Sequence, residues 1–242
     1  MKSARTIDRD TAGAAGKRAA AATSRRGVDT RRHLIETAIE VFGEFGFAAA
    51  TTRTLAERAG VNQAAIPYHF GGKAGLYRAA AQFITDHIEV RMRTVFEQGQ
   101  AALSSQQAGP AELAGALHAL LDRFAAIVIA SREGDHWSAF VMREQMHPGE
   151  AFAILYRGVM QRVHGLCADL LARLLGTAAD DAATKVRALM ILGQILIFRM
   201  GRSAVLRRLG WKRFTDERVD FVKAVMHEHV DAIVARATGR HP

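Results

Sequence analysis

The segment from residue 51 to residue 77 constrains the fold most, because two short helical stretches lie in it with only a brief turn between them. The first ends at Gly60 and the second begins after Asn62. Two short helices that pack at a steep angle need a small residue where they touch, a glycine in the turn and an apolar residue that holds the second helix. Ala56, Gly60 and Ile66 meet these needs. The segment is therefore predicted to be a helix-turn-helix.

The rest of the chain shows helical periodicity, and no stretch alternates convincingly as a strand. Before the motif, apolar residues recur at spacings of three and four until Gly46, at Leu34, Ala38, Val41, Phe42 and Phe45. A long helix is predicted over 73–98, and later helices near 110–131, 137–146, 149–175, 180–201 and 215–237. We expect an all-α protein with an N-terminal three-helix helix-turn-helix domain, followed by a larger helical domain.

Composition and charge divide the chain into three parts. Residues 1–28 are rich in Ala, Gly and Arg and lack apolar periodicity, which predicts a flexible basic arm. Residues 29–76 are assigned to the helix-turn-helix domain and residues 77–242 to the helical domain. The first 27 residues hold seven basic and two acidic side chains, more than half of the net charge of +9. Such an excess favours a polyanionic partner, because neutralised phosphates release condensed counterions.

Several classes of protein are disfavoured by what the sequence lacks. The single cysteine, Cys167, excludes an internal disulfide framework, suits a reducing cytoplasm and is interpreted as a small buried hydrophobe. The longest apolar run, 188–198, is shorter than the roughly 18 to 20 residues of a membrane span, so no membrane partner is expected. No nucleophile elbow, phosphate loop or dinucleotide fingerprint occurs, and His227 and His229 point to different helix faces. We therefore predict no enzyme activity, no cofactor and no metal site.

Residues 30–77 resemble the DNA-binding domain of the TetR family of bacterial regulators. The resemblance lies in the long first helix, the TTR that opens the second helix, and the YHF followed by a lysine. It implies that the third helix enters the major groove while neighbouring helix ends grip phosphates. By this resemblance Arg53 and Gln63 match base-reading positions, and Ala64 and Ala65 match positions close to base edges. The backbone-gripping positions of the family fall on Thr52, Tyr68, His69 and Lys73.

Pro67 departs from this pattern, since the family often carries tyrosine at that position. Proline lacks an N–H and is expected to forfeit one backbone hydrogen bond and one phosphate contact, although it is tolerated near a first turn. Pro67 remains within the predicted DNA-binding set. Alternatives stay open for three other residues: Arg53 as an ordinary solvated charge, His69 as a residue that caps or packs the third helix, and Tyr68 as a core residue.

The segments 141–152 and 193–211 resemble the CecR-like C-terminal domain of one TetR subfamily. A DNA reader of this kind needs two copies to engage two half-sites. We predict a homodimer through the helices near 180–201 and 215–237, because the former is apolar nearly all round and the latter carries an apolar stripe. The members of that stripe are Val219, Val222, Met226, Ile233 and Val234. The alternative for each helix is ordinary intrachain core.

The resemblance also implies a small effector in the helical domain, linked in this subfamily to drug-like compounds. Methionines and aromatic residues near 142–160 offer an adaptable apolar lining, with a few polar anchors. The predicted ligand-binding residues are Met142, Arg143, His147, Phe152, Tyr156 and Gln194, with Met146, Met160 and Phe198 as further lining. The alternative is that these side chains are core residues that touch no ligand.

The function expected from these observations is that of a transcriptional repressor, released from a palindromic operator by a small apolar or drug-like effector. Its partners would be double-stranded operator DNA, the effector and a second copy of the chain. Its location would be the bacterial cytoplasm, on the nucleoid when bound to DNA. The main alternative is a ligand-independent architectural DNA-binding protein, and the sequence does not separate a repressor from an activator.

Overall fold

The computed structural model describes residues 7–130 and 134–237, and the regular elements in this part of the chain are all helices. The expectation of an all-α fold is confirmed. The chain forms two compact units, Met1–Ala80 and Ala81–Pro242. The boundary between these two compact units lies after Ala80.

The first unit contains three helices and the start of a fourth. These are α1 (Ile7–Ala49), α2 (Thr52–Arg58), α3 (Ala65–Phe70) and α4 (Lys73–Ser104), of which α4 continues into the second unit. Gly46 interrupts α1 with a φ of 79°, where the sequence predicted the helix to close. The core of the unit contains the predicted stripe Leu34, Ala38, Val41 and Phe42. Phe45 is an exception, because it is exposed beside the guanidinium of Arg58.

The structure differs from the predicted flexible arm. The backbone of residues 7–28 continues α1, so the helix begins at Ile7 rather than near Asp29. Alanine and arginine have high intrinsic helix propensity, which outweighs the absence of apolar periodicity in this segment. Residues 1–6 of the predicted arm lie outside the described residues.

The second unit consists of the rest of α4 and seven further helices, two of which continue through a π-helical turn. These are α5 (Pro110–Ala125) with the turn Ala126–Ala130, α6 (Gly134–Met146), α7 (Glu150–Leu155) with the turn Tyr156–Met160, α8 (Gln161–Leu175), α9 (Ala182–Met200), α10 (Arg202–Leu209) and α11 (Asp216–Ala237). The sequence did not predict α10, which makes an angle of 84° with α9. Gly210, with a φ of 67°, ends it.

The core of the second unit is built around α8. Its buried face includes Leu166, Cys167 and Leu170, and α4 approaches it closely, since a Cβ on Gly99 would lie 2.8 Å from a methyl of Leu166. Burial raises the pKa of the Cys167 thiol to about 12, so the thiol stays protonated. The interpretation of this cysteine as a small buried hydrophobe is confirmed.

One helical stretch corrects the expectation about apolar length. Pro110–Ala130, formed by α5 and its π-helical turn, is 21 residues long and, by length and composition alone, apolar enough to cross a membrane. Its residues Leu117, Leu120 and Leu121 are buried in the core of the second unit. Core helices also reach this length and composition, and this helix packs as a core helix.

The apolar stripe of α11 is a second correction. Val219, Val222 and Met226 are buried in the core of their own unit, and Ile233 and Val234 pack against that core. The stripe is therefore intrachain core, the alternative that the sequence left open. The exposed large apolar side chains of α9, α10 and α11 lie mainly on α9 and are Val186, Leu189, Met190, Ile197, Met200, Leu209 and Phe221.

Candidate functional sites

The helix-turn-helix is held together by local caps. Thr51 caps α2, because its Oγ1 accepts a hydrogen bond from the Thr54 N–H at 3.0 Å. Gly60 makes the turn with a φ of 62°. Asn62 then accepts a hydrogen bond from the Ala64 N–H at 2.8 Å. Ile66 of α3 is completely buried, as predicted for the residue that holds the second helix.

The packing of Ile66 turns the opposite side of α3 to solvent. Tyr68 is 84% exposed, which contradicts the alternative that it is a core residue. Pro67 and Ala64 are exposed as well, and Ala65 is half-buried. This side of α3 is therefore available for contact with another molecule.

Pro67 is accommodated without the expected loss of a hydrogen bond. It is the third residue of α3, and the first N–H groups of a helix have no intrahelical acceptor. The carbonyl of Gln63, which an N–H at position 67 would approach, already accepts from the Ile66 N–H at 3.2 Å. The proline therefore leaves the Gln63 carbonyl with a hydrogen-bond partner.

The predicted base-reading side chains are exposed and oriented by neighbours. Gln63 donates from Nε2 to Thr52 Oγ1 at 2.8 Å, which joins α2 to the turn that precedes α3. Arg53 lies one turn before Glu57 and pairs with it, Nε to Oε1, at 2.8 Å. The hydrogen bond and charge of Glu57 raise the pKa of Arg53.

The side chains at the end of α3 form a small aromatic cluster. The rings of Tyr68 and His69 meet edge to face with centroids 4.8 Å apart, and the His69 ring lies 6.1 Å from that of Phe70. Phe70 in turn lies 5.2 Å from the guanidinium of Arg31 on α1. His69 is half-buried, so its ring packs at the end of α3, as one of the two interpretations of this residue expects.

Lys73 is tied to the end of α1. Its Nζ donates to the carbonyls of Phe47 and Ala50, each at 2.9 Å, and lies 4.5 Å from the centre of the Phe47 ring. Two of the three ammonium donors are thus used within the first unit, and one remains for an external acceptor. The lysine positions the start of α4 as well as offering a charge at the motif's edge.

Removal of the Lys73 ammonium tests this double role. We expect Lys73→Met to lower the free energy of unfolding by about 1 to 2 kcal/mol, because two charge-assisted hydrogen bonds are lost at a partly exposed site. We also expect the slope of log affinity for DNA against log salt to fall by about 0.9, the value for one phosphate contact. Denaturant titration and DNA binding at several salt concentrations measure these two effects.

Arg32→Met, which removes an exposed ion pair with Glu36 on α1, is the stability control. An unchanged salt slope would leave Lys73 a purely positioning role.

A cavity of about 400 Å³, here named the inner cavity, lies within the second unit. Both π-helical turns contribute to its wall, through Ile127 and Val128 and through Val159 and Met160. Such turns are frequent at functional sites. Helices α4, α6, α8 and α9 supply most of the remaining wall, which is chiefly aliphatic and aromatic.

The structure places only one of the six predicted ligand-binding residues, Met142, at the inner cavity. Met160, a further predicted lining residue, joins it. Phe152 and Tyr156 stack on each other with centroids 5.8 Å apart, and neither lines the cavity. The remaining predicted residues also lie away from its wall: Arg143 is half-buried on α6, His147 and Met146 are exposed, and Gln194 and Phe198 line a different depression.

The polar residues of the inner cavity were not among the predicted ligand-binding residues. They are Thr85, Ser138, Gln145, His164 and Arg199. Arg199 donates from Nε to Ser138 Oγ at 2.6 Å, which joins α9 to α6. Burial lowers the pKa of His164, so its imidazole is neutral at pH 7. None of the described residues that line the cavity is an aspartate or a glutamate.

The second depression, here named the surface groove, lies among α9, α10 and α11 and measures about 660 Å³. Ile197, Leu209 and Phe221 line it and are exposed, and no residue of α10 is buried. Gln194 bonds to His229 here, Oε1 to Nδ1, at 3.0 Å. The groove therefore continues the exposed apolar surface of α9.

A pair of histidines links α5 to α11. His227 lies 2.8 Å from Asp122, His118 lies 3.1 Å from Asp231, and the two imidazoles stack with centroids 4.0 Å apart. His227 and Asp231 of α11 thus each contact α5, at Asp122 and His118 respectively. Within the described ranges, no group of three or more His, Cys, Asp or Glu side chains is arranged to hold a metal ion.

Comparison with known proteins matches both parts of the chain. Residues 34–80 match the family of bacterial regulatory proteins, tetR family, and residues 113–236 match the C-terminal domain of the HTH-type transcriptional dual regulator CecR. The chain is 32% identical over 212 residues to the HTH-type transcriptional dual regulator CecR of Shigella flexneri, covering 86% of this chain and 93% of that protein.

Solved structures show the same fold at low sequence identity. A transcriptional regulator from Pseudomonas aeruginosa PAO1 is 20% identical, with a TM-score of 0.58 over 88% of this chain and 93% of that one. AibR, solved with isovaleryl coenzyme A and operator DNA, is 17% identical, with a TM-score of 0.53 over 86% of this chain and 97% of that one.

Proposed function

The chain belongs to the TetR family of bacterial DNA-binding transcription regulators, with a C-terminal domain of the CecR type, and we propose that it is a repressor released from a palindromic operator by a small effector. The family and the relatives are transcription regulators rather than enzymes. The observation that carries the proposal is the exposed face of α3, which lies next to the exposed side chains of Arg53 and Gln63. The opposite face of α3 is buried through Ile66.

The proposed contacts with DNA follow from the exposed side chains of α2 and α3. Arg53 reads guanine O6 and N7, and Gln63 reads adenine N6 and N7, because each side chain presents the matching pair of donors or acceptors. Ala64, Ala65 and Pro67 allow the backbone of α3 to approach the bases. Tyr68, His69, Thr52 and Lys73 hold the phosphates and set the register. Such a regulator acts in the cytoplasm, on the nucleoid when bound to DNA.

The proposed homodimer uses the exposed face of α9. Val186, Met190, Gly193 and Ile197 lie at spacings of three and four, so they share one side of the helix. The three large residues are more than half exposed, and a Cβ on Gly193 would meet open space, which suits close approach of a second helix. A continuous apolar face of this kind is typical of an interaction surface. Phe221, which lines the surface groove together with Ile197, extends this surface onto α11, whereas the predicted α11 stripe lies in the core.

The proposed release links the inner cavity to the motif through α4. Residues of α4 line the cavity, and the same helix begins at Lys73. An effector that releases the operator about 100-fold must favour the non-binding conformation by about 2.7 kcal/mol, and DNA must weaken effector binding equally. A change in the separation of the two recognition helices would prevent simultaneous docking on both half-sites.

Selection of bound sequences from a random DNA pool tests the proposed function. We expect a symmetric site whose half-sites lie about 34 Å apart. Binding of the selected site is then measured in the presence of a library of small molecules, and we expect some to weaken it. Transcription from the selected site, with and without the protein, separates repression from activation. Uniform binding to all sequences, unaffected by any small molecule, would favour the architectural DNA-binding protein instead.

A further inference from the structure

A buried hydroxyl in the wall of the inner cavity points to the chemistry of its occupant. Thr85 is 2% exposed and lies on α4, and its Oγ1 makes no hydrogen bond to the residues that the structure describes. A buried hydroxyl without a partner is destabilising, and native proteins rarely leave one. Thr85 is one of the residues that line the cavity, so a bound molecule that reaches this hydroxyl would supply the missing partner.

The position of Thr85 is fixed by a close contact with the π-helical turn Tyr156–Met160. A Cβ on Gly158 would lie 2.2 Å from Thr85 Cγ2 and 3.3 Å from Oγ1, so any larger residue would collide with the threonine. The absence of a side chain at position 158 lets the turn pack directly on Thr85. The hydroxyl is therefore held in place before any ligand arrives, which lowers the entropic cost of binding to it.

The charge of the cavity wall limits the charge that a ligand can carry. Arg199 supplies a guanidinium on α9, and the described lining residues include no carboxylate to offset a positive ligand. A cation would lose its hydration and gain no counter-charge. His164 is kept neutral by burial, which lowers its pKa, and so offers either a donor or an acceptor.

We propose that the inner cavity binds a mainly apolar small molecule that has no positive charge and that hydrogen-bonds to Thr85 through a polar group. The inference rests on the proposed function in taking this molecule to be the effector. The volume of about 400 Å³ lies within the range of small-molecule sites. Ile84, Phe124 and Trp137 enclose the apolar part, and His164 and Ser138 are further partners for the polar part.

Calorimetry with three matched probes tests the proposal. The probes are 4-phenylbutanamide, 4-phenylbutanoate and 4-phenylbutylammonium, which differ mainly in the polar end. We expect the amide and the carboxylate to bind the parent protein, and the ammonium to bind at least about 10-fold more weakly. Thr85→Val keeps the shape and removes the hydroxyl, and should weaken binding of the first two by about 10-fold. Thr85→Ser keeps the hydroxyl and is the matched control, with affinity close to that of the parent.

The stability of the ligand-free protein provides a second readout. Thr85→Val should raise its Tm by about 2 to 4 °C, because a buried hydroxyl without a partner is removed. Loss of binding together with a higher Tm excludes misfolding as the cause. Binding of the ammonium as tightly as the amide, equal affinity of Thr85→Val and the parent, or no binding of any probe at millimolar concentration would overturn the proposal. Binding is measured without DNA, so a ligand that binds but does not release the operator contradicts the proposed function and not this inference.

Discussion

Met190→Glu is expected to convert the dimer to a monomer and to lower operator affinity by about 100-fold or more. Met190 lies near the centre of the exposed apolar face of α9 and is 67% exposed. A two-fold interface repeats each substitution, so two carboxylates are buried against apolar surface. Two linked DNA readers bind about 10²- to 10⁴-fold more tightly than one, and this gain is lost in the monomer.

Sedimentation at micromolar concentration and DNA binding by fluorescence anisotropy measure the two effects together. Met146→Glu is the matched control, because Met146 is also a methionine on a helix of the second unit and is 69% exposed. We expect it to leave both the dimer and the affinity unchanged. A dimer that survives Met190→Glu would contradict the assignment of the interface to α9.

Arg53→Ala is expected to lower affinity for the selected operator by roughly 5- to 150-fold and to relax the preference at one base pair of each half-site. The guanidinium presents two parallel donors to guanine, and Arg53→Lys cannot restore this fork. The ion pair with Glu57 does not prevent the contact, because an exposed pair of this kind contributes little and is readily exchanged.

Affinities for the selected site and for its single-base variants decide the role of Arg53. Arg58→Ala is the control on the same helix, since Arg58 pairs with Glu44 of α1 at 2.7 Å and is not assigned to the bases. We expect this variant to keep the parent's sequence preference. If Arg53→Ala weakens binding to every sequence alike, Arg53 contacts phosphate and the base-reading role is wrong.

The helix-turn-helix could be predicted because its determinants are local. Thr51, Gly60 and Asn62 act on residues two to four positions away, through caps and a positive φ. The buried face of α3 follows from Ile66, the one fully buried residue of this helix. Interactions of this range are visible in a sequence without knowledge of which elements pack together.

The inner cavity could not be predicted, because its wall depends on the relative rotation of several helices. The predicted helix over 149–175 contains the π-helical turn Tyr156–Met160, which changes the angle between residues before and after it. Residue type alone assigns Phe152 and Tyr156 to a ligand lining, whereas in the structure they stack on each other and do not line this cavity. Thr85, Trp137 and Arg199 come from three helices that are distant in sequence, and no spacing relates them.

The sequence by itself determined the helical class, the DNA-reading motif and the family, because apolar periodicity, caps and glycines act within a few residues of one another. The tertiary structure decided which apolar faces are core and which are exposed. Val222 and Met226 of α11 are buried, whereas Val186 and Met190 of α9 are exposed, although both sets form apolar stripes. A stripe shows only that a helix has a face to bury. Which partner covers that face depends on the packing of segments that lie far apart in the chain. The inner cavity, which Thr85 lines, depends on the same long-range packing.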